Sequence, residues 1–184
     1  MEKEFNVTGS CNPAQHYMVD TSRQFAKTTK LVGQGEYFII NRPRQYGKTT
    51  MLTALFRALC PEHLVGYLSF EGIGDSIFTD EKRFSQGFVE MLADSLRMSD
   101  VQASDALLAG RDGVGNLKTL SKFLVEFIGG QAKSVILLID EVDKASNSQL
   151  FLSFLGMLRE QYLARDKFAA PAFQSVVLAG IHDI

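Results

Sequence analysis

Nowhere in the sequence is there an apolar run approaching the roughly 20 residues that a bilayer-crossing helix needs. The start, Met1-Glu2-Lys3-Glu4, lacks the basic-then-apolar order of a signal peptide. Cysteine is scarce. Cys11 and Cys60 stand far apart with no metal-ligand spacing, so the expectation is a reduced, cytoplasmic protein with no membrane partner. An excess of one charge is lacking as well: a net charge of −2 supplies no basic field to draw the chain to nucleic acid or anionic lipid. There is no internal repeat and no low-complexity tract. What is present is an ordinary globular composition, 46% apolar over 184 residues, enough for one domain with a substantial core.

The chain is organised around Asn41-Arg42-Pro43-Arg44-Gln45-Tyr46-Gly47-Lys48-Thr49-Thr50. This stretch succeeds the apolar run Tyr37–Ile40 and opens a segment with Leu52, Leu55, Phe56 and Leu59 at helical spacing. Strand, turn, Gly-Lys-Thr and helix is an arrangement that holds a nucleotide's phosphates, because backbone N–H groups of the turn and the helix start point at the anion. In such a loop Lys48 reaches the β- and γ-phosphates, the Thr49 hydroxyl ligates Mg²⁺, and Gly47 lets the backbone come close. The usual pattern, G-x-x-x-x-G-K-[ST], has its first glycine where this chain has Arg42, and Pro43 stiffens the loop entry by fixing φ. On its own, the motif also fits a Gly-Lys-Thr that merely starts a helix after a strand.

The rest of the pattern alternates. A loop or short extended piece over 5–20 precedes a helix from about Thr21 to Val32, ended by Gly33 and Gly35. Strands are expected at Tyr37–Asn41, Leu64–Phe70, Val135–Ile139 and Gln174–Ala179. Helices are expected from the phosphate loop to Cys60, stopped by Pro61; from Thr79, as cap, to Arg97; over Leu117–Ile128, closed by Gly129-Gly130; and over Ser148–Leu163. Leu108–Gly115, with three glycines, reads as a surface loop. The continuous β-branched and aliphatic run Val135–Ile139 is the signature of a strand covered on both faces. Strands alternating with helices imply a three-layer α/β fold with a parallel sheet. Right-handed crossovers then gather the strand C-termini on one edge, where such folds bind ligands.

A second motif falls on that edge. Asp140-Glu141 comes directly after the buried run, with Val142-Asp143 next. Mg²⁺ takes oxygen ligands, and an aspartate near the threonine hydroxyl holds it directly or through water. Attack by water on a γ-phosphate needs a group that orients the water and takes its proton, and Glu141 is placed for that. The alternative is a pair of solvated carboxylates at the start of the next helix. Glu71, at the end of the second strand, is expected to lie far from the nucleotide and has no role.

Pro43 to Thr50, taken with Leu138-Ile139-Asp140-Glu141-Val142-Asp143, resembles the bacterial AAA-like ATPases. More narrowly it is similar to the branch of these P-loop proteins whose loop reads R-P-R-x-x-G-K-[ST]. His16-Tyr17-Met18-Val19-Asp20 resembles the segment that precedes the loop there. The resemblance covers nearly the whole chain and makes Arg42 a family habit. It implies an additional-strand sheet in the order 5-1-4-3-2, ATP with Mg²⁺, and a lid domain after the core. The nucleotide would be held by Arg44, Gln45, Tyr46, Gly47, Lys48, Thr49 and Thr50, with Tyr17 lining the adenine pocket. Thr49 and Asp140 would serve the metal, and Lys48 and Glu141 the chemistry. His182 and Asp183 stand where relatives carry a polar residue that senses the γ-phosphate. Arg159 and Arg165 are candidates to face a neighbouring subunit in a homo-oligomer.

On this reading residues 1–184 form an AAA-like core, with 1–35 flanking the nucleotide site and 36–184 carrying the P-loop fold. The fifth strand, the lid and any arginine finger would lie beyond Ile184 in a longer protein. The expected function is Mg²⁺-dependent ATP binding and hydrolysis coupled to C-terminal domains or partners. The alternative is a slow or non-hydrolysing ATP switch that regulates an attached nuclease or DNA-binding effector. A small-molecule kinase ranks lower, because kinases of this fold usually lack the glutamate after the strand aspartate. A GTPase is disfavoured by the lack of an N-K-x-D motif.

Overall fold

In a computed structural model of the chain, the structure describes residues 21–41, 43 and 46–180. The chain order is α1 (Ser22–Gly33), β1 (Tyr37–Asn41), α2 (Lys48–Leu59), β2 (Leu64–Ser69), α3 (Glu81–Leu96), α4 (Val101–Gly110), α5 (Leu117–Gly129), β3 (Val135–Asp140), α6 (Gln149–Phe168) and β4 (Ser175–Gly180). Short 3₁₀ turns lie at Asp75–Thr79, Arg111–Gly113 and Val142–Lys144. The four strands form one all-parallel sheet in the order β1-β4-β3-β2. This is the 1-4-3-2 portion of the expected order.

Alternation along each strand sends its side chains to two separate cores, because successive Cβ atoms point to opposite faces. Leu137, Ile139, Val176 and Leu178 join a core built with α3, α4, α5 and α6. Ile136, Leu138, Val177 and Ala179 join a second core with Val32 of α1 and Leu52 and Leu55 of α2. The sheet is therefore covered on both faces, and every residue of β3 and β4 is buried. That accounts for the uninterrupted apolar run in β3. Among the described residues β1 and β2 are the sheet's edges. Ile39 of β1 is 38% exposed, whereas β2 is partly closed off by α3, whose Ser95 Oγ accepts from the Tyr67 N–H at 2.6 Å.

Helix starts obey local chemistry. Asp80 caps α3 by accepting from the Arg83 N–H, Asp100 caps α4 through Ala103, and Asn116 and Thr119 form a capping box on α5. Two expectations are corrected here. The cap of α3 is Asp80 and not Thr79, whose hydroxyl instead bonds back to the Ser76 carbonyl within a 3₁₀ turn. The expected loop over Leu108–Gly115 is the end of a helix, α4, and then a 3₁₀ turn. Of its three glycines Gly110 marks close packing: a Cβ there would lie 2.2 Å from the Phe123 ring. Helix α6 also runs to Phe168, five residues beyond Leu163. Among the described residues no helix is long and apolar enough to cross a membrane.

Two contact sets hold the connections in place. Phe70 meets Phe78 and Phe151 edge-to-face, and Phe84 meets Phe154 likewise, so the segment after β2 is packed against the start of α6. At the opposite end of the sheet, Arg165 of α6 donates to the carbonyls of Phe173, Gln174 and Gly35, with its guanidinium 4.7 Å from the Tyr162 ring centroid. Arg165 is thus a tie within the chain, between α6, the start of β4 and the turn before β1.

Candidate functional site

The parallel register aligns Asn41 with Gly180 and Ser69 with Asp140, which puts the C-terminal ends of all four strands on one edge. The turn after β1 and the turn after β3 both emerge there, separated by β4. A loop leaving β1 enters α2 on one face of the sheet, while the chain leaving β3 enters α6 on the other. The crevice between such divergent connections is where parallel α/β folds take ligands.

Gly47 adopts φ 74°, a left-handed conformation that favours glycine, and α2 begins at the next residue. No side chain caps this helix start among the described residues, in contrast to α3, α4, α5 and α6. Lys48 is 6% exposed and its Nζ donates to the Pro43 carbonyl at 3.3 Å, across the loop. Tyr46 is 66% exposed, and Thr50, two residues into α2, is half-buried.

Asp140 closes β3 and is 2% exposed. Three donors among the described residues reach its carboxylate. Thr49 Oγ1 donates to Oδ2 at 2.7 Å, the Tyr67 hydroxyl donates to Oδ2 at 3.4 Å, and the Glu141 N–H donates to Oδ1 at 2.9 Å. Two motifs 91 residues apart in sequence are thus joined by one hydrogen bond. Glu141 itself sits at φ 56°, ψ 38°, a left-handed conformation uncommon for a residue with a Cβ. Such strain persists only where the surroundings over-determine it. Here the Asp140 carboxylate fixes the Glu141 N–H, and the 3₁₀ turn Val142–Lys144 begins with Lys144 N–H bonding back to the Glu141 carbonyl. Gly180 at the end of β4 leaves room for that turn: a Cβ there would stand 2.9 Å from Val142 Cγ2.

The Glu141 carboxyl titrates above the usual range. Desolvation is the largest cause, then the neighbouring charges of Asp143, Asp140 and Glu71, with Lys48 pulling the other way. Glu71 therefore adds to the field on Glu141. The Tyr67 hydroxyl is pushed up to about 12, by burial first and then by the Asp140 charge.

The structure brings Gly47, Lys48, Thr49, Asp140 and Glu141 to one edge of the sheet. Tyr17, Arg42, Arg44, Gln45, His182 and Asp183 lie outside the described residues. Three contributors escaped the sequence reading: Tyr67, Glu71 and Gly180. The signal for Tyr67 was available only as a polar-tipped residue in an otherwise apolar strand two positions from its end. Among the described residues no cluster of three or more His, Cys, Asp or Glu side chains could hold a metal alone. The oxygen pair of Thr49 and Asp140 does fit Mg²⁺, which keeps several waters and combines one or two protein oxygens with substrate phosphates. A separate concavity of about 390 Å³, lined by Leu64, Asp100, Ala103, Gly130 and Lys133 among others, opens at the opposite end of β2 and β3 and shares no residue with this edge.

Fold and edge geometry together define a P-loop-type α/β protein. The comparisons narrow this further: a family model described as AAA-like domain matches residues 9–182, and the chain belongs to that family. Among solved structures it is similar to one titled "Structure of Drosophila ORC bound to DNA", at 15% sequence identity and a TM-score of 0.50, covering 90% of this chain and 77% of that one. At that identity the likeness is one of fold. No curated protein matches the sequence.

Proposed function

We propose that this protein binds ATP with Mg²⁺ at the C-terminal edge of its sheet and hydrolyses it, using the cycle to control the conformation of an attached domain or partner. The observation that carries the proposal is the 2.7 Å bond from Thr49 Oγ1 to Asp140 Oδ2. A threonine that donates its proton to a buried carboxylate keeps its oxygen lone pairs for a cation, and the carboxylate supplies the compensating charge.

The remaining residues take roles set by their places. The uncapped start of α2 and the Gly47 turn offer N–H groups to the β-phosphate, and Lys48 exchanges the Pro43 carbonyl for phosphate oxygens. Bound Mg²⁺ would neutralise charge on the β- and γ-phosphate oxygens. Glu141 orients water and accepts its proton. A carboxyl whose proton affinity is raised by desolvation and by neighbouring acids is a better base than a solvated one. The left-handed backbone at Glu141 supports the same assignment, since stored strain clusters at functional positions.

The test is calorimetric titration of ATP with Mg²⁺ into the parent and into Lys48→Ala. The parent should bind and the variant should lose measurable affinity while keeping its melting temperature. Undiminished ATP binding by folded Lys48→Ala would refute the assignment.

A further inference from the structure

Asp140 Oδ2 accepts from two hydroxyls, and only one of them belongs to the phosphate-loop helix. The other is Tyr67, from β2. In the β2–β3 register Tyr67 pairs with Leu138, so Asp140 lies two residues further along β3 on the same face, a diagonal that a long aromatic side chain spans. The ring of Tyr67 packs on Phe56 of α2 at a centroid distance of 5.9 Å, and its hydroxyl donates to Asp140, with the Thr53 side chain of α2 as a second polar neighbour. Thr49, Thr53 and Phe56 are spaced at intervals of four and three residues, one stripe of α2. One face of this helix thus supplies Thr49 to the carboxylate and supports the tyrosine that also reaches it. A phenylalanine at 67 would pack against Phe56 as well as tyrosine does. The hydroxyl is the part that packing alone does not require.

We propose that Tyr67 is a positioning residue for the metal end of the nucleotide site: its hydroxyl, with Thr53 as its polar neighbour on α2, fixes the Asp140 carboxylate in the rotamer that serves Thr49 and Mg²⁺. This rests on the nucleotide reading above. Without the Tyr67 hydroxyl, Asp140 keeps Thr49 and the Glu141 N–H but loses one constraint on rotation about its side chain. The consequence falls on the metal-dependent part of nucleotide affinity, because the phosphate contacts of the loop do not pass through Asp140.

The experiment measures ATP affinity of the parent, Tyr67→Phe and Thr53→Val, each in Mg²⁺ and in EDTA, together with melting temperatures. The readout is the ratio of the two affinities. For Tyr67→Phe that ratio should fall on the order of tenfold, the low end of what outer-shell partners contribute to metal affinity. The EDTA affinity should stay at the parental value, the melting temperature should fall by no more than a few degrees, and Thr53→Val should shift the ratio in the same direction by less. A Tyr67→Phe ratio equal to the parent's would overturn the proposal, as would an equal loss in Mg²⁺ and EDTA, which is what a packing role produces. If Tyr67→Phe failed to fold, an unchanged ratio in folded Thr53→Val would overturn it too. A parent that binds no ATP in either condition would instead refute the nucleotide reading itself.

Discussion

Replacing Asp140 by asparagine separates a structural carboxylate from one kept for a ligand. Asp140 is 2% exposed, and its partners are two hydroxyls on Oδ2 and the Glu141 N–H on Oδ1. Asparagine can keep its carbonyl oxygen toward the Glu141 N–H. Its amide then faces Thr49 and Tyr67, whose hydroxyls can rotate from donating to accepting. The loss is the charge assistance of these bonds, which raises a hydrogen bond's contribution to about 1.5–3 kcal/mol from the neutral value of about 1. The gain is relief of a buried carboxylate's desolvation, several kcal/mol per ion, beside other acidic groups that already disfavour ionisation of Glu141. The opposing effects are of similar size. The expected net change is within about 1 kcal/mol, or roughly 2–4 °C in melting temperature for a chain of this length. The metal-dependent gain in ATP affinity should fall by about 10- to 100-fold. Scanning calorimetry in EDTA and ATP titrations with and without Mg²⁺ give both numbers. A drop of more than about 10 °C in EDTA would show that the fold itself depends on the charge. An intact Mg²⁺ gain would show that Asp140 does not serve the metal.

Two further variants probe the chemistry and the frame. Glu141→Gln should retain ATP while losing steady-state phosphate release, since an amide cannot accept the proton; turnover at the parental rate would remove Glu141 as the base. Arg165→Ala removes the guanidinium donor from the carbonyls of Gly35 and Gln174, leaves Phe173 with the Tyr37 hydroxyl alone, and should destabilise by about 2–4 kcal/mol, lowering the melting temperature by roughly 5–12 °C. Arg165→Lys should recover less than half of that, because a point ammonium cannot reproduce the guanidinium fork. Full recovery by lysine, read by the same melting experiment, would show that only the charge matters.

Much of the architecture was legible from pattern alone. The β-branched run at Val135–Ile139 specifies a doubly covered strand, and strands alternating with amphipathic helices specify a parallel sheet, because both periods are local properties of the chain. The sheet order was expected only by resemblance, and β1-β4-β3-β2 agrees with it. Local reading failed where glycine was taken as a sign of a loop. Gly110, within the expected loop Leu108–Gly115, ends a helix against the Phe123 ring, a demand of a neighbour distant in sequence.

The site divides along the same line. The sequence by itself determined which residue types flank the sheet edge: a Gly-Lys-Thr at a helix start and an Asp-Glu at a strand end, each readable within a few positions. Only the tertiary structure decided that Thr49 donates to Asp140, that Tyr67 of a third strand shares the same oxygen, and that Glu71 adds to the field on Glu141. It also decided that Arg165 is spent on three carbonyls inside the chain. The physical reason is range. Secondary structure and turn chemistry are fixed by neighbours along the chain, whereas hydrogen-bond partners and the cost of ionising a buried carboxyl are fixed by whatever the packed sheet brings within a few ångströms.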